Sequence, residues 1–159
     1  MTVSKHTGTI TQGSGNARKH YRITIPKIAE YCSAVANCGQ FGTINVELDE
    51  PLDNSRADYW TPEIAWNPVP GTGLEENRVE AFGLTKIKFE YPLGGEAYDA
   101  WIVLPEGHTW TYNGEGVEVI ADVDIPGIAY GRRCALHLDH TPSSPPPSWL
   151  GKRYSLRRT

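Results

Sequence analysis

Lys86-Ile87-Lys88-Phe89-Glu90-Tyr91, followed by Gly94-Gly95 and a second apolar run from Tyr98 to Leu104, decides how this chain folds. Ile87, Phe89 and Tyr91 alternate with Lys86, Lys88 and Glu90. That is the period-2 pattern of a strand with one dry and one wet face. The glycine pair then closes a hairpin into the second strand. The same kind of reading extends outward. Residues 7–12 are β-rich and stop at Gly13-Ser14-Gly15, and Tyr21 to Ile25 reads as a second strand. From Gly42 to Leu48, Ile44, Val46 and Leu48 share one face while Thr43, Asn45 and Glu47 share the other. Residues 59–66 are extended but carry Pro62, which confines them to a sheet edge. Val79 to Tyr91 and Val117 to Ile120 complete a set of six or seven short strands. One helix interrupts them: Pro26 suits its first turn, and Ile28, Tyr31, Cys32 and Val35 fall on one stripe up to a stop at Cys38-Gly39. Residues 49–58 and 67–77 read as loops. Many strands, one short helix and turn signals throughout favour a mainly β chain, a small β-barrel, over a wound α/β sheet.

The composition agrees. The chain has 159 residues, 16 of them Gly and 12 Pro, with no period that would make a collagen or a coiled coil. A hydrophobic share of 39 % and a charged share of 21 % permit a packed core. No apolar run approaches the roughly 20 residues of a membrane helix, and Met1 to Lys19 lacks the apolar stretch of a signal peptide. Charge is unevenly placed: residues 1–22 carry +4, residues 23–140 carry −12, and residues 141–159 carry +4. An acidic body disfavours nucleic acid as a partner but not a small anion at the basic N-terminal end. The three cysteines, Cys32, Cys38 and Cys134, are odd in number and lack zinc-site spacing, which fits inert thiols in a reducing cytoplasm. From Thr141 the chain becomes Pro-Ser-Ser-Pro-Pro-Pro-Ser, a stiff extended segment. The expected division is a domain over 1–140 and a Pro-rich, basic, flexible tail over 141–159.

Several residues are candidates for chemistry. Gly13-Ser14-Gly15-Asn16-Ala17-Arg18-Lys19 follows a strand, and its glycines let backbone N–H groups approach an anion beside two cations. It is not a Walker sequence, and a plain turn explains it equally well. Thr43 and Asn45 point the same way from a strand, and both carry hard oxygen ligands suited to Mg²⁺; the wet face of any strand also carries such residues. Glu47 shares that face. Glu118 alternates against Val117 and Val119, either as a solvated residue or as an acceptor for an N–H-bearing ligand. Trp110, after Thr109, is placed either to stack on a planar ring or to pack on the barrel. His137 and His140 bracket Asp139 in a stretch that suits helix or strand, and a solvated or structural role fits both. No nucleophile–base motif or metalloprotease motif is present.

Taken in order, these segments resemble the archaeal CTP-dependent riboflavin kinase family. Gly8-x-Ile10-x-x-Gly13-x-Gly15-x-x-Arg18-x-x-Tyr21 is similar to its N-terminal glycine motif. Phe41-Gly42-Thr43-Ile44-Asn45-Val46-x-Leu48-Asp49 is similar to its P-G-T-L-N motif. Phe82-Gly83, the run Ala100 to Pro105, Thr109-Trp110 and the run Glu118 to Ala121 match later blocks. Arg133 with Leu138-Asp139 resembles the closing one. The resemblance spans about residues 7–140. It implies a six-stranded cradle-loop β-barrel with one short helix, acting as a cytoplasmic kinase. The γ-phosphoryl of CTP, or of another nucleoside triphosphate, would pass to the 5′-hydroxyl of riboflavin to give FMN, with Mg²⁺. It further implies that Gly13, Ser14, Gly15, Asn16, Ala17, Arg18 and Arg133 lie along the nucleotide, that Thr43 and Asn45 hold the metal, and that Thr109 and Glu118 contact the flavin. The general base is unassigned, with Glu47 a candidate. The chain departs from the family at Ala17, where a third glycine is common, at Asp139-His140-Thr141, and in a longer stretch from Asp122 to Arg133. The alternative reading is therefore a barrel that binds flavin or nucleotide without catalysis.

Overall fold

Ile87, Phe89 and Tyr91 do point into one core, and Phe89 is fully buried there. The computed structural model describes residues 3–12, 25–38, 42–52, 57–66, 78–105 and 116–139. Among them run nine strands: β1 (Val3–Thr11), β2 (Ile44–Leu48), β3 (Tyr59–Trp60), β4 (Ile64–Trp66), β5 (Arg78–Glu80), β6 (Phe82–Tyr91), β7 (Glu96–Pro105), β8 (Gly116–Ala121) and β9 (Arg133–Asp139). All pairings are antiparallel. The order β6-β7-β8-β2-β1-β9 returns from β9 to β6, so six strands close into a barrel. β3 adds to the first half of β6, and β4 pairs only with β5.

The hairpin of β6 and β7 is the largest contact in the sheet. Its pairing runs from Phe82↔Pro105 to Tyr91↔Glu96. The turn between them needs glycine at Gly94, whose φ is +86°. Gly95 N–H donates to the Pro92 carbonyl at 2.7 Å. Alternate residues of the six strands fill the interior: Ile10, Val46, Leu48, Ile87, Phe89, Ile102, Val117, Val119 and Leu136 belong to one cluster. Burying a side chain such as Phe89 contributes about 3 kcal/mol.

A second cluster covers part of the outside. Phe82 and Leu84 of β6, Trp101 and Val103 of β7 and Ile120 of β8 pack against Ile25, Ile28, Cys32, Val35 and Cys38. The outer face of β6 records where that cover stops, because Phe82 and Leu84 give way to Lys86, Lys88 and Glu90. The covering segment differs from the continuous helix expected over Ile28–Val35. A helix α1 spans 25–29, and a separate 3-10 turn spans Ser33–Val35. The Ile28 carbonyl accepts from both Tyr31 N–H and Cys32 N–H, and Cys32 is extended at φ −141°. The apolar stripe is nonetheless buried, because burial follows the side chains rather than an unbroken ladder.

Other expectations are adjusted in detail. β1 begins at Val3 rather than residue 7. Val79–Tyr91 divides at Ala81, and 59–66 divides around Pro62, whose neighbour Thr61 ties into Phe82 through both its N–H and its hydroxyl. The Arg133–Asp139 stretch is strand: Cys134, Leu136 and Leu138 face the core, and His137 faces outward to meet Glu90 at 2.9 Å. Ile25 is helical, not the end of a strand; the rest of 21–24, the loop 67–77, His140 and the tail 141–159 lie outside the described residues. No helix among the described residues is long and apolar enough to cross a membrane.

Candidate functional site

Alternation along β1 sends Gly8 and Ile10 inward and Thr7, Thr9 and Thr11 outward. β2 lies against one edge of β1 and β9 against the other. The strands approach closely at Gly8: a Cβ there would meet the Glu47 carbonyl oxygen at 2.6 Å and Val46 Cγ1 at 2.7 Å. The registers then set outward residues into rows across the barrel wall. Thr9 faces both Glu47 and Arg133. One row further on, Thr11 faces Asn45, Asn45 faces Glu118, and Glu118 faces Val103.

The Asn45–Glu118 part of the second row is dry, while Thr11 is half-buried. Asn45 is 9 % exposed and Glu118 is 5 % exposed, the only charged side chain among the buried described residues. Val103 and Ile120, on the same outer face, belong to the apolar covering cluster, so the carboxylate sits at the margin of that cover. Asn45 Nδ2 donates to the Gln12 carbonyl at 3.3 Å, which turns the amide nitrogen toward the end of β1. Just before β2, Gly42 takes φ +78°, and Thr43 follows. The Thr43 hydroxyl is buried with no hydrogen-bond partner among the described residues. A buried hydroxyl left without a partner loses part of its hydration energy, and a ligand or an ion restores it.

The neighbouring row is wet and self-sufficient. Arg133 grips Asp49 with both arms of its guanidinium, at 2.8 and 2.5 Å, and Nη1 also reaches the Thr9 hydroxyl at 3.0 Å. The Thr7 hydroxyl donates to Asp49 at 2.6 Å. The hydrogen bond from Arg133 holds the Asp49 carboxyl well below the usual carboxylate range, with Thr7 adding to it. Arg133, expected along a nucleotide, therefore has its charge matched by Asp49. Asp49 closes the Phe41–Asp49 motif, but its pairing with Arg133, 84 residues away, has no signal in the sequence.

Gly13 follows Gln12, the residue that Asn45 contacts. The segment 122–132 begins after Ala121 and is pinned to the end of β1: Gly131 N–H donates to the Ile10 carbonyl at 2.8 Å, and Ile10 N–H to that of Arg132 at 2.9 Å. Ile125 and Ile128 of that segment pack into the barrel core, and the Tyr91 hydroxyl donates to the Gly127 carbonyl. Of the expected site residues, Asn45 and Glu118 thus lie on adjacent strands of one wall and Thr43 just before the first of them, with Arg133 one row away. Gly13, Ser14, Gly15, Asn16, Ala17, Arg18 and Thr109 lie outside the described residues.

Thr43 and Asn45 fit a small hard cation by chemistry, since both offer oxygen and one of those oxygens is orphaned. Among the described residues no group of three or more His, Cys, Asp or Glu side chains converges, so a soft or imidazole-based metal centre has no counterpart there. A scan against protein-family models and a search of curated proteins each return no match.

Proposed function

We propose that the chain is a nucleotide-dependent riboflavin kinase, forming FMN by passing a γ-phosphoryl group to the 5′-hydroxyl. The single observation that carries this reading is the dry row. Asn45 and Glu118 are paired and buried, and Thr43, with its unpartnered hydroxyl, stands two residues before Asn45. The ordered motifs from Gly8 to Asp139 supply the substrate class by resemblance.

Phosphoryl transfer asks a protein mainly for positioning and charge neutralisation. Thr43 and Asn45 would hold Mg²⁺, which supplies charge compensation for the phosphates when bound. The apolar cover over Trp101, Val103 and Ile120 keeps water away from one flank of the row, which strengthens electrostatic contacts made there. Glu118 would accept from an N–H or O–H group of the acceptor substrate. In the transfer, the bond between the γ-phosphorus and its bridging oxygen breaks. A new bond forms to the riboflavin 5′-oxygen, and the hydroxyl proton is released.

The test is FMN formation from riboflavin with Mg²⁺ and, in separate reactions, CTP, ATP and GTP. Turnover with one of them identifies the donor. Folded protein that turns over none of them overturns the kinase reading. FMN or CDP binding without turnover would then point to a non-catalytic flavin or nucleotide module.

A further inference from the structure

We propose that Tyr130 and Arg132 form a docking corner for the donor nucleotide, the ring stacking on its base and the guanidinium meeting its phosphates. The inference rests on the nucleotide-dependent reading, but nucleotide affinity is measurable with no acceptor present. Both residues belong to one β-turn, Ala129-Tyr130-Gly131-Arg132, which Arg132 N–H closes on the Ala129 carbonyl at 3.3 Å. Gly131 stands third in it at φ +85°, the position at which a type II turn takes glycine. Main-chain bonds tie the turn to β1: Gly131 N–H reaches the Ile10 carbonyl, and Ile10 N–H reaches that of Arg132. Ile125 and Ile128, just upstream, pack into the barrel core. The corner is therefore ordered from its backbone, and Tyr130 is 61 % exposed on it, more than any other large hydrophobic side chain among the described residues.

Charge points the same way. Two arginines stand side by side in the chain, and Asp49 matches the second, Arg133. Arg132 is exposed, and its guanidinium meets no acid or other acceptor among the described residues. Two residues apart, Tyr130 and Arg132 have Cα atoms within about 7 Å of each other. An aromatic ring and an unmatched cation this close select a ligand that is both flat and anionic. Bare phosphate leaves the ring in water, and a neutral ring system leaves Arg132 unmatched. Position agrees as well. The turn continues the β9 edge of β1, whereas Asn45 stands on the β2 edge and contacts Gln12, so corner and polar row flank the same end of β1. Tyr130 has a contact of its own within the chain, and most of its surface remains open beside it. Because the turn is already ordered, stacking on it immobilises little. Every base has a π face, so the corner adds affinity without choosing among donors.

The probes are CDP, ADP and GDP, each titrated with Mg²⁺ into the full chain without flavin and followed by calorimetry. For those that bind, Tyr130→Ala should weaken affinity by about tenfold or more, the size of a lost base–aromatic stack, and Tyr130→Phe should keep it. Arg132→Gln should weaken affinity and flatten its dependence on salt. Undiminished affinity in folded Tyr130→Ala or folded Arg132→Gln overturns the proposal. So does a loss that Tyr130→Phe reproduces in full, or a wild-type chain that binds none of the three at millimolar concentration. Should Tyr130→Ala not fold, the wild-type chain still decides: its Tyr130 ring-proton resonances should move saturably with the bound nucleotide, and stationary ones overturn the proposal. Tyr130-dependent nucleotide binding without FMN formation would uphold this corner and remove the kinase reading. FMN formation with nucleotide affinity indifferent to Tyr130 would do the reverse.

Discussion

Two polar rows lie side by side on one wall of the barrel, and they differ in how their groups are satisfied. In the row of Thr9 and Arg133, with Asp49 beside it, the donors and acceptors meet each other in water. In the row of Thr11, Asn45 and Glu118, the last two side chains are buried and the nearby Thr43 hydroxyl has no partner among the described residues. Both rows are anchored on β1, one reaching β9 and the other crossing β2 to β8. The contrast teaches that a polar residue on a barrel exterior is informative when something covers it. Exposed pairs of this kind contribute little to stability, whereas buried polar groups cost energy that an occupant recovers.

The contrast is broken most sharply by removing the dry row's oxygens. Thr43→Ala with Asn45→Ala should abolish FMN formation while leaving the melting temperature close to that of the parent. Retained turnover would take both residues out of the site. Next in size is the frame itself. Gly8→Ala pushes a methyl into the Glu47 carbonyl and Val46, and should lower stability by about 1–3 kcal/mol in chemical denaturation. An unchanged midpoint would mean that β1 and β2 move apart without cost.

The wet row should respond weakly. Asp49→Asn should shift the melt only slightly at physiological salt, and the sign of its pH dependence is fixed. A carboxyl held below its ordinary value stabilises the fold above the unfolded value, near pH 4. That contribution is lost as pH falls toward the depressed folded value. The difference between parent and variant should therefore vanish in strong acid. A difference that grew on acidification would contradict the pairing with Arg133.

The smallest expected effect is none at all. Burial pushes the Cys38 thiol, in the cover, and the Cys134 thiol, in the barrel, up to about 12. Neither should react with a thiol reagent at pH 8 in the native chain. Reaction at Cys38 ahead of Cys134 would show that the cover over the dry row opens independently of the barrel.

The legible parts of the molecule are those whose cause is local. Ile87, Phe89 and Tyr91 announce a strand because neighbouring side chains must alternate, and Thr43 and Asn45 share a face for the same reason. The stripe of Ile28, Cys32 and Val35 announces burial, but the extended Cys32 breaks the helix, which periodicity does not register. Cys134, Leu136 and Leu138 carried a strand signal that the histidine spacing obscured. The Asn45–Glu118 pairing and the Arg133–Asp49 grip have no local signature, since each depends on the register of strands far apart in the chain. Separate roles for Asn45 and Glu118 follow naturally from a linear motif. Their adjacency belongs to the closed sheet.

Closure also puts the first barrel strand beside the last, with Val3 opposite Asp139. The path of the barrel is thus nearly a ring, and a short glycine-rich bridge from Asp139 to Val3 would complete it. Cutting the chain at exposed Gly94 would then yield a circular permutant with every barrel pairing still available.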